Sequence, residues 1–119
     1  MKRFGSAIWN GGLREGKGSV STESRSLETY PYTFFSRYGE KPGTNPEELL
    51  GAAHAACFTM SFVGLLGLMN FGPEQLESKS EVVIDKDGDG SSITSVHPNP
   101  YYITALENFS NVDGDNFGE

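Results

Sequence analysis

The chain has 119 residues, of which 36% are hydrophobic, and 9 Lys and Arg stand against 16 Asp and Glu for a formal net charge of −7. This length suits a single domain, 1–119, with its own core, and the acidic balance disfavours nucleic acid and anionic membranes as partners. The single cysteine, Cys57, excludes an intramolecular disulfide and is compatible with a reducing compartment. Because no apolar run follows Lys2 and Arg3, we expect no secretory signal and a cytoplasmic location.

Strand signals dominate the first 44 residues. The runs 6–9, 18–22 and 32–38 predict three short strands, the last of them rich in aromatic residues. Asn10-Gly11-Gly12 predicts a tight turn after the first strand. This part of the chain therefore favours an antiparallel sheet.

A long helix is predicted from about residue 46 to residue 69. Asn45 suits its N-cap, Pro46 suits its first position, and the segment 70–73 supplies stop signals. The stretch 52–71 is apolar and about as long as a membrane span requires. It also carries polar residues and two glycines, so we favour a buried core helix over a membrane span.

A β-hairpin is predicted after the helix, with strands 80–85 and 92–97 on either side of an Asp-Gly-rich turn. Residues 101–106 allow a further strand, and the acidic end, 111–119, is expected to be a loose tail. Strands, one helix and a hairpin in this order predict an α+β fold, with an antiparallel sheet packed on a long central helix.

Several strings along residues 6–97 match one family in order and spacing. They are Ser6-Ala7-Ile8-Trp9, Glu15-Gly16-Lys17-Gly18-Ser19-Val20-Ser21-Thr22-Glu23-Ser24, Pro31-Tyr32-Thr33-Phe34, Ser36-Arg37-Tyr38, Pro42-Gly43-Thr44-Asn45-Pro46-Glu47-Glu48-Leu49-Leu50 and Ala52-Ala53-His54-Ala55-Ala56-Cys57-Phe58-Thr59-Met60. Together they resemble the OsmC/Ohr family of osmotically inducible and organic hydroperoxide resistance proteins, and the OsmC branch in particular. The string from Pro42 through Met60 is the most specific.

The resemblance implies a thiol peroxidase that reduces organic hydroperoxides without a cofactor or metal, and that forms a homodimer. It places Cys57 at the position of the peroxidatic cysteine. It also places Arg37 at the position of the arginine that pairs with the thiolate, and Glu47 at that of the glutamate that holds the arginine. These three residues are the predicted catalytic set.

The chain departs from the family after about residue 97. Family members have a second long helix that carries a resolving cysteine, whereas residues 98–119 match weakly and contain no cysteine. We therefore expect an OsmC-like fold that lacks the C-terminal helix. An external thiol or dithiol must then recycle Cys57. The alternative is a non-catalytic, dimerising member of the family.

The chemistry of these three residues is compatible with the catalytic roles that the resemblance implies, but it does not require those roles. A thiol with a pKa near 8.5 is mostly protonated at neutral pH, and a nearby guanidinium would favour the thiolate. Each residue also has a non-catalytic interpretation. Cys57 is then a typical helix core residue, and Arg37 is an exposed charge on a strand. Glu47 is then an acid that stabilises the helix dipole. For one arginine to reach both Glu47 and Cys57, we predict a break in the helix near Gly51.

Other motifs carry weaker alternatives. His54 lies three residues before Cys57, on the same helix face, but with only His97 as a second histidine we expect no zinc site. The stretch 85–90 resembles the start of a calcium loop, but Val96 stands at its twelfth position and a strand precedes it, so a hairpin turn is favoured. A group of aromatic and methionine side chains could form either the core or a pocket for a bulky hydroperoxide. These are Phe34, Phe35, Tyr38, Phe58, Met60 and Phe62.

Overall fold

Three short antiparallel strands open the chain in the computed structural model, which describes residues 1–87 and 90–106. Strand β1 (Gly5–Asn10) pairs with β2 (Lys17–Thr22), and β2 pairs with β3 (Tyr30–Tyr32). The sheet order is therefore β1-β2-β3. The first two predicted strands are confirmed within one residue at each end.

An aromatic pair lies across this sheet. Trp9 stands opposite Gly18 in the β1–β2 register, and Gly18 stands opposite Tyr32 in the β2–β3 register. The two rings lie 5.4 Å apart, and a Cβ on Gly18 would stand only 2.4 Å from the Trp9 ring. The missing side chain of Gly18 therefore makes room for both rings.

Residues 32–38 do not form the predicted third strand. A short helix, α1 (Phe34–Tyr38), follows β3 instead, with Thr33 as its N-cap. The Thr33 side chain accepts from the Ser36 backbone N–H at 3.1 Å, and the Ser36 hydroxyl accepts from the Thr33 N–H at 2.8 Å. The strand prediction is wrong because this reciprocal capping box outweighs the β propensity of the aromatic residues.

The long helix, α2 (Pro46–Leu68), has the predicted boundaries within a residue. Asn45 caps it, because its side-chain oxygen accepts from the Glu48 N–H at 2.8 Å. The helix ends where Asn70 adopts a positive φ of 57° and the N–H of Phe71 bonds back to the Leu66 carbonyl.

The predicted helix break near Gly51 is wrong, since α2 runs through this residue without interruption. The strand β4 (Pro73–Asp87) approaches the helix there. A Cβ on Gly51 would lie 3.1 Å from the carbonyl oxygen of Ser80 and 3.5 Å from a Val82 methyl. Gly51 therefore permits close packing of a strand on the helix and does not bend it.

Strands β4 and β5 (Gly90–Leu106) form an antiparallel hairpin, closed by the pairing of Asp87 with Gly90. The predicted hairpin is confirmed, with strands longer than expected. Residues 98–106 belong to β5, which includes the further strand allowed at 101–106. The loose tail expected at 111–119 lies outside the described residues.

The α+β fold class is confirmed: antiparallel sheets accompany one long helix. The chain divides into two units between Leu49 and Leu50. Hydroxyl groups join α2 to β4 in the second unit: the Ser78 hydroxyl lies 3.1 Å from the Ala55 carbonyl oxygen and also contacts the Thr59 hydroxyl.

The apolar surface of α2 is largely open in the single chain. Among residues 1–85 and 91–95, whose side-chain burial the structure describes, no hydrophobic side chain is buried, and Met60, Leu65 and Leu68 are 72%, 60% and 83% exposed. The prediction of a buried core helix is therefore wrong for the isolated chain. By length and composition alone, α2 is also long and apolar enough to cross a membrane. An exposed apolar surface of this kind is typical of a site that contacts another protein or a membrane.

Candidate functional site

Arg37 and Glu47 form an ion pair in the first unit. Arg37 lies in α1, and Glu47 lies in the first turn of α2. The guanidinium donates from Nη2 to Oε1 at 2.8 Å and from Nε to Oε1 at 3.0 Å, with Oε2 at 3.3 Å from Nε. Two nitrogens of the planar fork are thus committed to one carboxylate, which fixes the plane of the guanidinium.

The two partners differ in burial. Glu47 is only 7% exposed, whereas 32% of the Arg37 side-chain surface remains accessible. The hydrogen bonds that Arg37 donates to Glu47 raise the pKa of Arg37 above its usual value, and this effect outweighs the lowering by burial. Arg37 therefore keeps its charge at every working pH, and Glu47 is more than an acid that serves the helix dipole.

A cavity of about 230 Å³ lies beside this pair. Its walls combine aromatic and aliphatic side chains with one cation, and the lining residues are Trp9, Leu13, Tyr32, Thr33, Phe34, Arg37 and Tyr38. The Arg37 guanidinium carbon lies 5.0 Å from the centre of the Tyr38 ring, a cation–π distance. Of the described residues, none accepts a hydrogen bond from Arg37 Nη1. The cavity thus offers a guanidinium donor at the edge of an aromatic pocket.

Cys57 lies in the second unit, on the part of α2 that follows Gly51, and its side chain is exposed. The interpretation of Cys57 as a buried core residue is therefore wrong for the single chain. His54, one turn earlier, has Nδ1 at 2.7 Å from the Ser80 hydroxyl. This contact gives His54 a structural role in joining α2 to β4.

The structure brings Arg37 and Glu47 together and describes Cys57 in the other unit. Cys57 follows Glu47 by ten positions along α2, which is continuous from Pro46 to Leu68. The helix break that would have shortened this path is absent. The approach of Arg37 to a Cys57 thiol therefore stays a prediction.

Metal binding finds no support in the described residues, in which no group of three or more His, Cys, Asp or Glu side chains could hold an ion. The side chain of His97 lies outside the described part. Of the aromatic residues predicted to form a pocket, Phe34 and Tyr38 line the cavity of the first unit. Phe58 and Phe62 stack on each other along α2, with ring centres 6.1 Å apart.

Sequence reasoning missed two contributors to this site. The sequence places Trp9 in the first strand and in a family-matching string but gives it no part in the site, yet its ring forms one wall of the cavity. The sequence predicts Ser36 as part of a strand, yet it is buried at 7% exposure beside Arg37. The spacing Thr33-x-x-Ser36 was the available signal, because a hydroxyl three residues after an N-cap threonine can close a capping box.

An α+β chain with a long helix, a lone exposed thiol and an arginine held by a helix-start glutamate has the features that the resemblance to the OsmC/Ohr family implies. The family model described as OsmC-like protein matches residues 39–108, and the chain belongs to this family.

Two named relatives sharpen this assignment. Over 96 residues the chain is 47% identical to Peroxiredoxin OsmC of Escherichia coli (strain K12), and it is equally similar to the protein of the same name from Shigella flexneri. The similarity covers 81% of this chain and 67% of each relative. The chain is therefore a member of a peroxidase family, and the predicted resemblance is confirmed.

Proposed function

We propose that this protein reduces organic hydroperoxides through Cys57 as a single peroxidatic cysteine. The observation that carries the proposal is the exposed Cys57 thiol within the segment 39–108 that matches the OsmC-like family, in a chain 47% identical to a peroxiredoxin. An exposed thiol on a helix is accessible to a peroxide, as the reaction requires.

The reaction balances as follows. The Cys57 thiolate attacks one oxygen of the hydroperoxide, so that an S–O bond forms and the O–O bond breaks. The alkoxide leaves and takes up a proton to become an alcohol, while Cys57 becomes a sulfenic acid. An external thiol then displaces water to give a mixed disulfide, and a second thiol group releases Cys57 as a thiol together with the oxidised reductant.

Arg37 and Glu47 support this chemistry in the proposal. A guanidinium beside Cys57 favours the thiolate over the thiol and donates a hydrogen bond to the departing oxygen. Glu47 holds the guanidinium through Nε and Nη2, which leaves Nη1 for the substrate or the thiolate. The aromatic cavity beside Arg37 suits the organic part of a bulky hydroperoxide.

We further propose a cytoplasmic homodimer, in which a second copy covers the apolar surface of α2. His54 and Thr59 turn polar groups of the same helix toward β4, where Ser80 and Ser78 bond to them, so α2 has one satisfied polar face. A second copy can therefore cover the remaining apolar surface of α2 without displacing β4. Sedimentation of wild type and Leu65→Glu tests the dimer: the substitution should yield a monomer, and a wild type that sediments as a monomer contradicts it.

Hydroperoxide consumption with a dithiol reductant tests the peroxidase itself. Wild type should turn over cumene hydroperoxide and Cys57→Ser should not, while Ser61→Ala, which removes an exposed group from the same helix, serves as the matched control. A sulfenic acid trap should add mass to Cys57 after one equivalent of peroxide. Equal turnover by wild type and Cys57→Ser, without trapping, would instead favour the non-catalytic alternative.

A further inference from the structure

We infer that Ser36 is a positioning residue that holds Arg37 against Glu47. Ser36 precedes Arg37 directly and is 7% exposed, one of two buried polar residues among residues 1–85 and 91–95, whose side-chain burial the structure describes. The inference rests on the proposed function only for its catalytic consequence, because the contact itself is seen in the first unit.

The Ser36 hydroxyl fixes the backbone on both sides of the ion pair. It accepts from the Thr33 N–H at 2.8 Å, and its single proton faces two acceptors, the Thr44 carbonyl oxygen at 2.9 Å and the Thr33 carbonyl oxygen at 3.0 Å. The Arg37 N–H in turn bonds to the Thr33 carbonyl at 3.1 Å. One hydroxyl therefore joins the start of α1 to the residue two positions before α2.

A second bond runs in the opposite direction across the same junction. The Asn45 side-chain amide donates to the Ser36 carbonyl at 3.3 Å, while its oxygen caps α2. Gly43, at φ 141°, closes over Ser36 so tightly that a Cβ there would stand 3.3 Å from the Ser36 Cβ. Residue 36 is thus tied to residues 44 and 45, and through them residue 37 is set opposite Glu47.

Charge attraction alone does not replace this framework. Arg37 is a long side chain with several rotatable bonds, and holding it costs rotamer entropy unless its backbone is fixed. Loss of the Ser36 hydroxyl frees the α1 backbone from residue 44 and lets the guanidinium leave the bidentate geometry. A displacement near 1 Å of a catalytic group can lower a rate by about a hundredfold.

The test compares Ser36→Ala with Thr22→Ala in the full chain. Thr22 is a matched control because its hydroxyl also accepts a backbone N–H, that of Leu27 at 3.2 Å, in the same unit but away from Arg37. The readout is the NMR signal of the Arg37 Nε–H, assigned by its absence in Arg37→Lys. Exchange of this proton with water should quicken by about tenfold or more in Ser36→Ala and stay unchanged in Thr22→Ala.

A second variant keeps the test decisive if Ser36→Ala does not fold. Asn45→Ser keeps an N-cap oxygen for α2 but removes the amide that bonds to the Ser36 carbonyl, so it should quicken the same exchange. Unchanged Nε–H exchange in the folded variants overturns the inference.

Turnover is measured separately from the NMR signal. If wild type is a peroxidase, the acid limb of its kcat/KM profile should move to higher pH in Ser36→Ala and not in Thr22→Ala, because a displaced Arg37 favours the thiolate less. A profile that does not move overturns the catalytic part of the inference. A wild type without turnover refutes the proposed function, and the exchange measurement still decides the role of Ser36.

Discussion

The most direct prediction concerns Glu47→Gln, which removes the negative charge of the ion pair but keeps the size of the side chain. Glu47 is buried, whereas Arg37 keeps a third of its side-chain surface in solvent. Breaking a fully buried pair costs about 3–5 kcal/mol, and an exposed pair contributes about 0–1 kcal/mol. For this intermediate geometry we expect Glu47→Gln to lower the free energy of unfolding by ~1–2 kcal/mol, because the amide oxygen of Gln still accepts one hydrogen bond from the guanidinium.

The assay is chemical denaturation of four chains in a double-mutant cycle: wild type, Glu47→Gln, Arg37→Met and the double variant. The interaction energy of the pair is the difference between the stability loss of the double variant and the sum of the losses of the two single variants. Glu48→Gln is the matched control, because Glu48 carries the same charge in the same helical turn but is exposed. Glu48→Gln should lower the free energy of unfolding by only about 0.3–1 kcal/mol, through its weaker interaction with the helix dipole.

The pH dependence gives a check with a definite sign. Glu47 raises the pKa of Arg37, so the contribution of Arg37 to stability is complete below its unfolded pKa and is lost only as the pH rises through the higher folded pKa. The interaction energy should therefore not fall between neutral and mildly alkaline pH. An interaction energy near zero, or a loss in Glu48→Gln as large as that in Glu47→Gln, would refute the reasoning.

Three further changes test the local structure by the same denaturation assay. Thr33→Ala removes the N-cap of α1 and should cost about 1 kcal/mol; no loss would mean that the capping box does not hold this helix. Gly64→Ala should stabilise α2 by about 0.5–1 kcal/mol, since no described atom lies within 4 Å of the new Cβ, whereas Gly51→Ala meets a β4 carbonyl at 3.1 Å and should gain less. A larger gain at 51 than at 64 would contradict the close strand contact. Gly18→Ala drives a Cβ into the Trp9 ring and should cost about 1–3 kcal/mol with a shifted Trp9 emission, so an unchanged spectrum counts against the ring packing.

Local chemistry made the helix boundaries readable from the sequence. Asn45 and Asn70 mark the two ends of α2 through bonds to residues only a few positions away, so their effect is written in adjacent sequence. The same kind of signal at Thr33 was present, but the run of aromatic residues after it favoured a strand. The error lay in weighting β propensity above a short-range capping box.

Long-range packing was not readable in this way. Gly51 is a reasonable place to break a helix until β4 is known to cross it. The resemblance named Arg37 and Glu47 as partners, but only the structure gave the two donating nitrogens and the burial of the carboxylate. It also showed that Cys57 is exposed in the single chain, where an apolar helix suggested burial.

The sequence by itself determined the family, the α+β class, the long helix and the identity of the lone thiol. These depend on composition, on short-range capping and on specific strings of residues. The tertiary structure alone decided that α2 is unbroken, that Ser36 ties α1 to the start of α2, and that an aromatic cavity adjoins Arg37. Such contacts join residues that are far apart or on different elements, and their energies depend on distances that no local pattern encodes.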